Sequence, residues 1–85
     1  MPRASLREAV LSNTIHALRD MRIRNSLSMN KLAERSGIHV STISLMERGL
    51  RSPTLDVLLR ISEALKTDLW AVLKEATESA KSGKR

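Results

Sequence analysis

Two short stretches with helical periodicity, one on each side of Gly37, constrain the fold of this chain more than any other feature. Ser28 is a favourable N-cap for the first stretch, and Gly37 supplies the left-handed residue that ends it after about two turns. The second stretch begins almost immediately and ends at Gly49. Helices this short do not persist alone in water, so flanking segments must pack against them. Residues 27–54 therefore predict two helices joined by a tight turn, with the rest of the chain arranged around them.

Three further amphipathic segments can supply this packing. The first, residues 5–25, opens with Ser5 and Glu8 in the spacing of a capping box, which satisfies two backbone amides at a helix start. A fourth helix follows Thr54 and a fifth follows Asp68, both favourable N-cap residues. The predicted inner faces consist of Leu11, Ile15 and Leu18; of Leu55, Leu58, Ile61, Ser62 and Leu65; and of Leu69, Val72, Leu73 and Ala76. The sequence therefore predicts an all-α protein, a compact bundle of five helices.

The length of 85 residues allows one domain. We assign residues 14–76 to that domain and residues 1–13 to an N-terminal extension of the first helix. Residues 77–85 are short, polar and basic, and we expect them to form a disordered tail.

Two charged residues interrupt otherwise apolar helix faces. Arg22 continues the stripe of the first helix, and Glu47 lies beside Ile43 and Met46 on the inner side of the third. A buried carboxylate is costly unless it is paired, and Arg22 is the obvious partner. We therefore predict an ion pair between Arg22 and Glu47 that joins the two helices.

The composition indicates the class of partner. The formal net charge is +6, which favours a polyanion, although charge alone does not distinguish DNA from RNA or an anionic membrane. Trp70 is the only aromatic residue, which argues against modules that stack the bases of single strands. The chain has no Cys, no apolar run long enough to span a membrane and no signal-peptide core, so we expect a cytoplasmic protein.

The outer face of the third helix is the candidate recognition surface. Ser41, Ser44, Leu45 and Arg48 point away from the predicted core, with Val40 and Thr42 at the margins. Purely solvated helix faces more often carry long charged side chains. Small side chains here would allow close approach to a grooved partner.

The chain resembles the Cro and phage-repressor type of helix-turn-helix, also called the XRE family, over residues 14–74. The resemblance is carried by Leu27-Ser28, Leu32-Ala33, Gly37-Ile38, Ile43-Ser44, Glu47, Gly49, Pro53-Thr54-Leu55 and Ala64-Leu65. It implies a lambda-repressor-like bundle in which the second and third helices form the helix-turn-helix. It also implies sequence-specific binding to double-stranded DNA, as a homodimer on a palindromic operator.

The resemblance further implies a set of DNA contacts, with the third helix in the major groove. The candidates for base contacts are Val40, Ser41, Thr42, Ser44 and Leu45. The candidates for phosphate contacts are Ser28, Asn30, His39, Arg48, Arg51 and Ser52. His39 has an alternative role as a helix-capping residue, and Arg51 as a solvated loop cation.

Three positions depart from the family pattern. Met29 stands where the family usually has a Gln whose side chain contacts the DNA backbone. Ser26 and Lys66 stand where Gly is usual, so both must enter the left-handed region at some energetic cost.

Trp70 falls on one flank of the fifth helix, near Leu73. A large exposed aromatic often marks an interface, and we predict a dimer interface at Leu69, Trp70 and Leu73. The alternative is that residues 5–12 cover Trp70 within the same chain.

No catalytic residues, cofactor site or metal site are predicted. His16 and His39 lie on separate elements, and no Gly-rich phosphate loop is present. We expect no small-molecule ligand and no enzymatic activity. Two functions remain: a homodimeric transcription regulator, either a repressor or a controller, and a protein-interaction module of the same fold, such as an antitoxin that binds a toxin.

Overall fold

Residues 5–82 are described by a computed structural model of the protein, and this part of the chain is helical apart from its turns. Its five helices are α1 (Leu6–Arg24), α2 (Met29–Ser36), α3 (Val40–Glu47), α4 (Leu55–Ala64) and α5 (Leu69–Ser82). α1 packs along α5, while α2 contacts both α3 and α4. The all-α bundle predicted from the sequence is confirmed.

Side-chain caps determine where the helices begin. The predicted capping box is present, because Glu8 N donates to Ser5 Oγ (3.1 Å) and Ser5 N donates to Glu8 Oε1 (2.9 Å). The backbone hydrogen bond from Ser5 is the main reason that the pKa of Glu8 is lowered. The side chains of Ser28 and Thr54 cap α2 and α4, and the carboxylate of Asp68 accepts a hydrogen bond from Trp70 N.

Two helix ends are closed by residues other than glycine in the left-handed conformation. Ser26 has φ 56° and Lys66 has φ 57°, as expected at the two positions where the family usually has Gly. This backbone conformation costs an L-residue with a side chain roughly 1–2 kcal/mol. The packing of the flanking helices must offset that cost.

All five helices contribute side chains to one hydrophobic core. Its fully buried side chains include Leu18, Leu32, Ile43, Met46 and Ile61. Because α2 and α3 each contribute residues to this shared core, neither short helix depends on its own propensity for stability.

The boundary of the predicted tail is wrong. We predicted disorder from residue 77, but α5 continues through Ser82. α1 packs along α5, and Asn13 Nδ2 donates to the carbonyl of the buried Ala76 (3.1 Å), directly before the predicted tail. Thr77 Oγ1 also donates to the Leu73 carbonyl (2.7 Å). The predictions for residues 1–4 and 83–85 lie outside the described residues.

Leu55 is a second correction. It was assigned to the inner face of α4, but 63% of its surface is exposed. It is the first residue of α4, and the exposed residues on either side show that this turn extends beyond the core.

The predicted ion pair between Arg22 and Glu47 joins α1 to α3. Arg22 Nε lies 2.7 Å from Glu47 Oε2, and Arg22 Nη2 lies 2.9 Å from Glu47 Oε1, so the pair is bidentate. Arg22 Nη1 also donates to the carbonyl of Leu27 (2.7 Å), which ties down the loop before α2. The Glu47 side chain is only 5% exposed. A single guanidinium therefore connects α1, the α1–α2 loop and the end of α3.

Removing one partner of this pair should strongly destabilise the protein. We expect Glu47→Ala to lower the free energy of unfolding by about 3 kcal/mol, because it leaves the buried Arg22 without a counter-charge. Urea denaturation followed by circular dichroism measures this change.

Glu34→Ala is the matched control, because Glu34 pairs with Lys31 on an exposed face of α2. The control should change the free energy of unfolding by no more than about 0.5 kcal/mol. Equal effects of the two substitutions would contradict the structural role of Glu47.

Candidate nucleic-acid interface

The turn between α2 and α3 sets the orientation of α3. Gly37 adopts φ 74° and its N–H donates to the Ala33 carbonyl (2.9 Å). A Cβ atom at this position would meet only Arg60 Nη1, at 3.7 Å, so backbone conformation rather than space favours glycine here. Ser36 Oγ accepts a hydrogen bond from Ile38 N (3.3 Å), and Ile38 is buried. The chain is thus fixed on both sides of the turn.

α3 has one face in the core and one accessible to solvent. Ile43 and Met46 are buried, and Glu47 is held by Arg22. The residues predicted to contact bases all keep access to solvent: Ser41 is exposed, and Val40, Thr42, Ser44 and Leu45 are half-buried. The structure therefore leaves this face of α3 available to a partner.

Residues at the starts of α2 and α3 combine capping with exposure. Ser28 Oγ accepts a hydrogen bond from Lys31 N (3.0 Å), and Asn30 is exposed. His39 Nδ1 accepts from Ser41 N (3.2 Å) and lies 2.8 Å from Ser41 Oγ. His39 is therefore the N-cap of α3, the alternative role considered from the sequence. All three side chains remain on the surface.

Arg48, Arg51 and Ser52 follow α3 and are exposed. All three line a groove of about 350 Å³ between the end of α3 and the N-terminal half of α1. Thr42 shares a second, smaller cavity of about 170 Å³ with Arg51 and Ser52. The structure thus brings one predicted base contact together with two of the predicted phosphate contacts.

Arg7 also lines the larger groove and was not singled out from the sequence. It lies four residues before Leu11, which is four residues before Ile15, so it extends the inner stripe of α1 by one turn. That spacing could have placed Arg7 on the same helix face. The approach of the α3–α4 loop to this face is a tertiary feature that no local pattern encodes.

The α5 surface differs from the predicted interface in one residue. Trp70 is 67% exposed, so residues 5–12 do not cover it. Lys74 Nζ lies 5.6 Å from the centroid of the Trp70 ring, and Leu73 is half-buried nearby. Leu69, by contrast, is 6% exposed and packs in the core of its own chain. The assignment of Leu69 to a dimer interface is therefore corrected, because its side chain already has intramolecular neighbours.

No group of three or more His, Cys, Asp or Glu side chains in residues 5–82 could hold a metal ion. None of the helices described here is both long and apolar enough to cross a membrane.

Comparison with known sequences gives consistent matches. A family model described as helix-turn-helix matches residues 18–69. The chain is 47% identical over 49 residues to an uncharacterised HTH-type transcriptional regulator of Mycobacterium tuberculosis, covering 58% of this chain and 35% of that protein. It therefore spans about a third of the length of this relative. It is also 35% identical over 64 residues to the control protein C.SmaI of Serratia marcescens, covering 75% of this chain and 73% of that protein.

Comparison with solved structures identifies similar folds. A variant of the restriction-modification controller protein C.Esp1396I superimposes with a TM-score of 0.75 at 20% identity, covering 86% of this chain and 95% of that one. The clp gene regulator ClgR of Corynebacterium glutamicum superimposes with a TM-score of 0.73 at 30% identity, covering 96% of this chain and 83% of that one.

Proposed function

Since the chain belongs to the helix-turn-helix family of the Cro and phage-repressor (XRE) type, we propose that it is a transcriptional regulator that binds specific sequences of double-stranded DNA. It acts as a homodimer on a palindromic operator, with α3 in the major groove. The observation that carries this proposal is the solvent-accessible face of α3. The opposite face of the helix is anchored to the protein by the buried Ile43 and Met46 and by the ion pair of Glu47.

The proposed base contacts come from small side chains. The hydroxyl groups of Ser41, Thr42 and Ser44 can contact several bases, while Val40 and Leu45 can pack on thymine methyl groups. This set contains no Arg, Gln or Asn, which are the usual bidentate readers of guanine and adenine. Direct readout is therefore modest, and DNA shape supplies part of the specificity.

The proposed phosphate contacts flank α3. Arg48, Arg51 and Ser52 follow its C-terminal end and are exposed. Ser28, Asn30 and His39 lie at the starts of α2 and α3, where backbone amides point outward and favour anions. In the part of the chain that the structure describes, the side chains of Arg48 and Arg51 form no ion pair, so phosphates do not compete with an internal carboxylate for them.

The proposed dimer forms through the outer surface of α5. Trp70 is the largest exposed apolar side chain among the described residues, and Leu73 lies beside it. Aromatic residues of this size dominate the binding energy of many interfaces. A two-fold arrangement presents two copies of α3 to successive major grooves, with half-site centres about 10 base pairs apart.

The names of two similar proteins support a controlling role. C.SmaI is named a control protein, and C.Esp1396I a restriction-modification controller protein. The alternative function, a protein-interaction module such as an antitoxin, is favoured by one observation: the absence of Arg, Gln and Asn from the candidate base contacts. Measurements of DNA binding distinguish the two.

DNA binding should depend steeply on salt. We expect the chain to select a preferred duplex from a random pool, and binding to that duplex should lose affinity with a log–log salt slope of about −4 to −7, for about four to eight phosphate contacts. Fluorescence anisotropy with labelled duplex, at a series of salt concentrations, measures the slope.

Arg51→Gln should reduce the magnitude of this slope by about 0.9 per chain, since it removes one phosphate contact. Arg24→Gln, at the exposed end of α1, is the control and should leave the slope unchanged. If no duplex is enriched at low salt, the interaction-module alternative is favoured instead.

Dimerisation should bury Trp70. Because Trp70 is the only aromatic residue, its fluorescence emission reports on this one position, and we expect a shift to shorter wavelength as the protein concentration rises. Trp70→Ala should weaken the dimer about 30-fold, as expected for a loss of about 2 kcal/mol at an interface hot spot. Sedimentation equilibrium measures the dissociation constant.

Ile23→Ala is the control for this experiment, because Ile23 is an exposed apolar residue near the end of α1. It should leave the dimer unchanged. A monomeric parent chain at all concentrations, or equal dissociation constants for the Trp70→Ala variant and the parent, would contradict the proposed interface.

A further inference from the structure

The larger groove continues the surface of α3 toward the N-terminal half of α1. Arg51 and Ser52 line both this groove and the smaller cavity beside Thr42. A continuous surface therefore runs from Thr42 on α3, across the α3–α4 loop, to Arg7 on α1. The first turns of α1 are thus adjacent to residues for which we propose phosphate contacts.

The charges that line the groove favour an anion. Its two carboxylates are both engaged: Glu8 accepts the backbone hydrogen bond of the capping box, and Glu47 is held by Arg22. Its three arginines, Arg7, Arg48 and Arg51, form no ion pair within the described residues. The groove therefore presents three cations against one carboxylate without a paired cation, Glu8, because Arg22 neutralises Glu47.

We propose that this groove binds the phosphate backbone of DNA outside the segment contacted by α3, and that Arg7 makes the contact. This inference rests on the proposed function, since it assigns a further part of the same DNA surface. A guanidinium is suited to the task because its planar array of donors matches two phosphate oxygens. The first turns of α1 thereby lengthen the DNA site that each chain covers.

The test compares Arg7→Gln with Arg24→Gln on two lengths of DNA. Both substitutions remove one positive charge from an exposed position of α1, at opposite ends of the helix. The probes are the selected duplex with about one extra helical turn, ~10 base pairs, on each side of the operator, and the same duplex without these flanks. Circular dichroism establishes that each variant has the helicity of the parent chain.

On the long duplex, Arg7→Gln should weaken binding about three- to tenfold near 0.1 M salt and reduce the magnitude of the salt slope by about 0.9 per chain. Arg24→Gln should match the parent. Removal of the flanks should lower the affinity of the parent chain for DNA by a similar factor. It should not lower the affinity of the Arg7→Gln variant further.

Three results would overturn the inference. Equal affinities and salt slopes for the parent and Arg7→Gln on the long duplex would show that Arg7 does not contact the DNA. An equal loss for Arg7→Gln on both duplexes would place its contact inside the operator and not beyond the segment contacted by α3. Failure of the parent chain to bind any duplex would reject the proposed function together with this inference, and so is distinguishable from failure of Arg7 alone.

Discussion

The bidentate pair between Arg22 and Glu47 is the interaction on which the arrangement of the helices depends. Three donors of one guanidinium are used, two on the carboxylate and one on the Leu27 carbonyl. The pair joins the end of α1 to the end of α3 and fixes the loop before α2. Burial of charge is expensive, and the geometry here meets the requirement that both partners be fully hydrogen-bonded. It also explains why helices of only eight residues, α2 and α3, keep a defined orientation.

This arrangement separates the two faces of α3. Ile43 and Met46 pack in the core, and Arg22 neutralises the charge of Glu47. The residues on the opposite face of α3 are therefore not needed for the stability of the fold. Small hydroxyl and aliphatic side chains can occupy that face without loss of structure. In the proposed function, the affinity for DNA comes mainly from arginines around α3, and the specificity comes from close approach and from DNA shape. The proposed contact of Arg7 adds an arginine of α1 to those that supply affinity for DNA.

Local chemistry explains which features the sequence predicts well. The capping box of Ser5 and Glu8 depends on neighbouring residues only, whereas the left-handed conformation of Ser26 and Lys66 follows from the family resemblance. The Arg22–Glu47 pair is long-range, but each partner is conspicuous as a charge on an apolar stripe. The errors have separate causes. Leu55 lies in the first turn of α4, beyond the core, and Leu69 belongs to the inner face that periodicity gave it and not to an interface. α5 continues to Ser82 in a helix that packs along α1. The groove at Arg7 has no local signature, since it forms only when the α3–α4 loop approaches α1.

In the proposed function, the accessible face of α3 contacts DNA, while α1 and the ion pair of Glu47 support the opposite face of the helix. Titration of the ¹⁵N-labelled chain with its selected duplex, followed by heteronuclear NMR, tests this most directly. The largest changes in amide chemical shift should fall within residues 40–45 and 48–52, and the side-chain Nε signal of Arg22 should keep its position. Changes confined to α5, with the signals of α3 unmoved by saturating duplex, would contradict it.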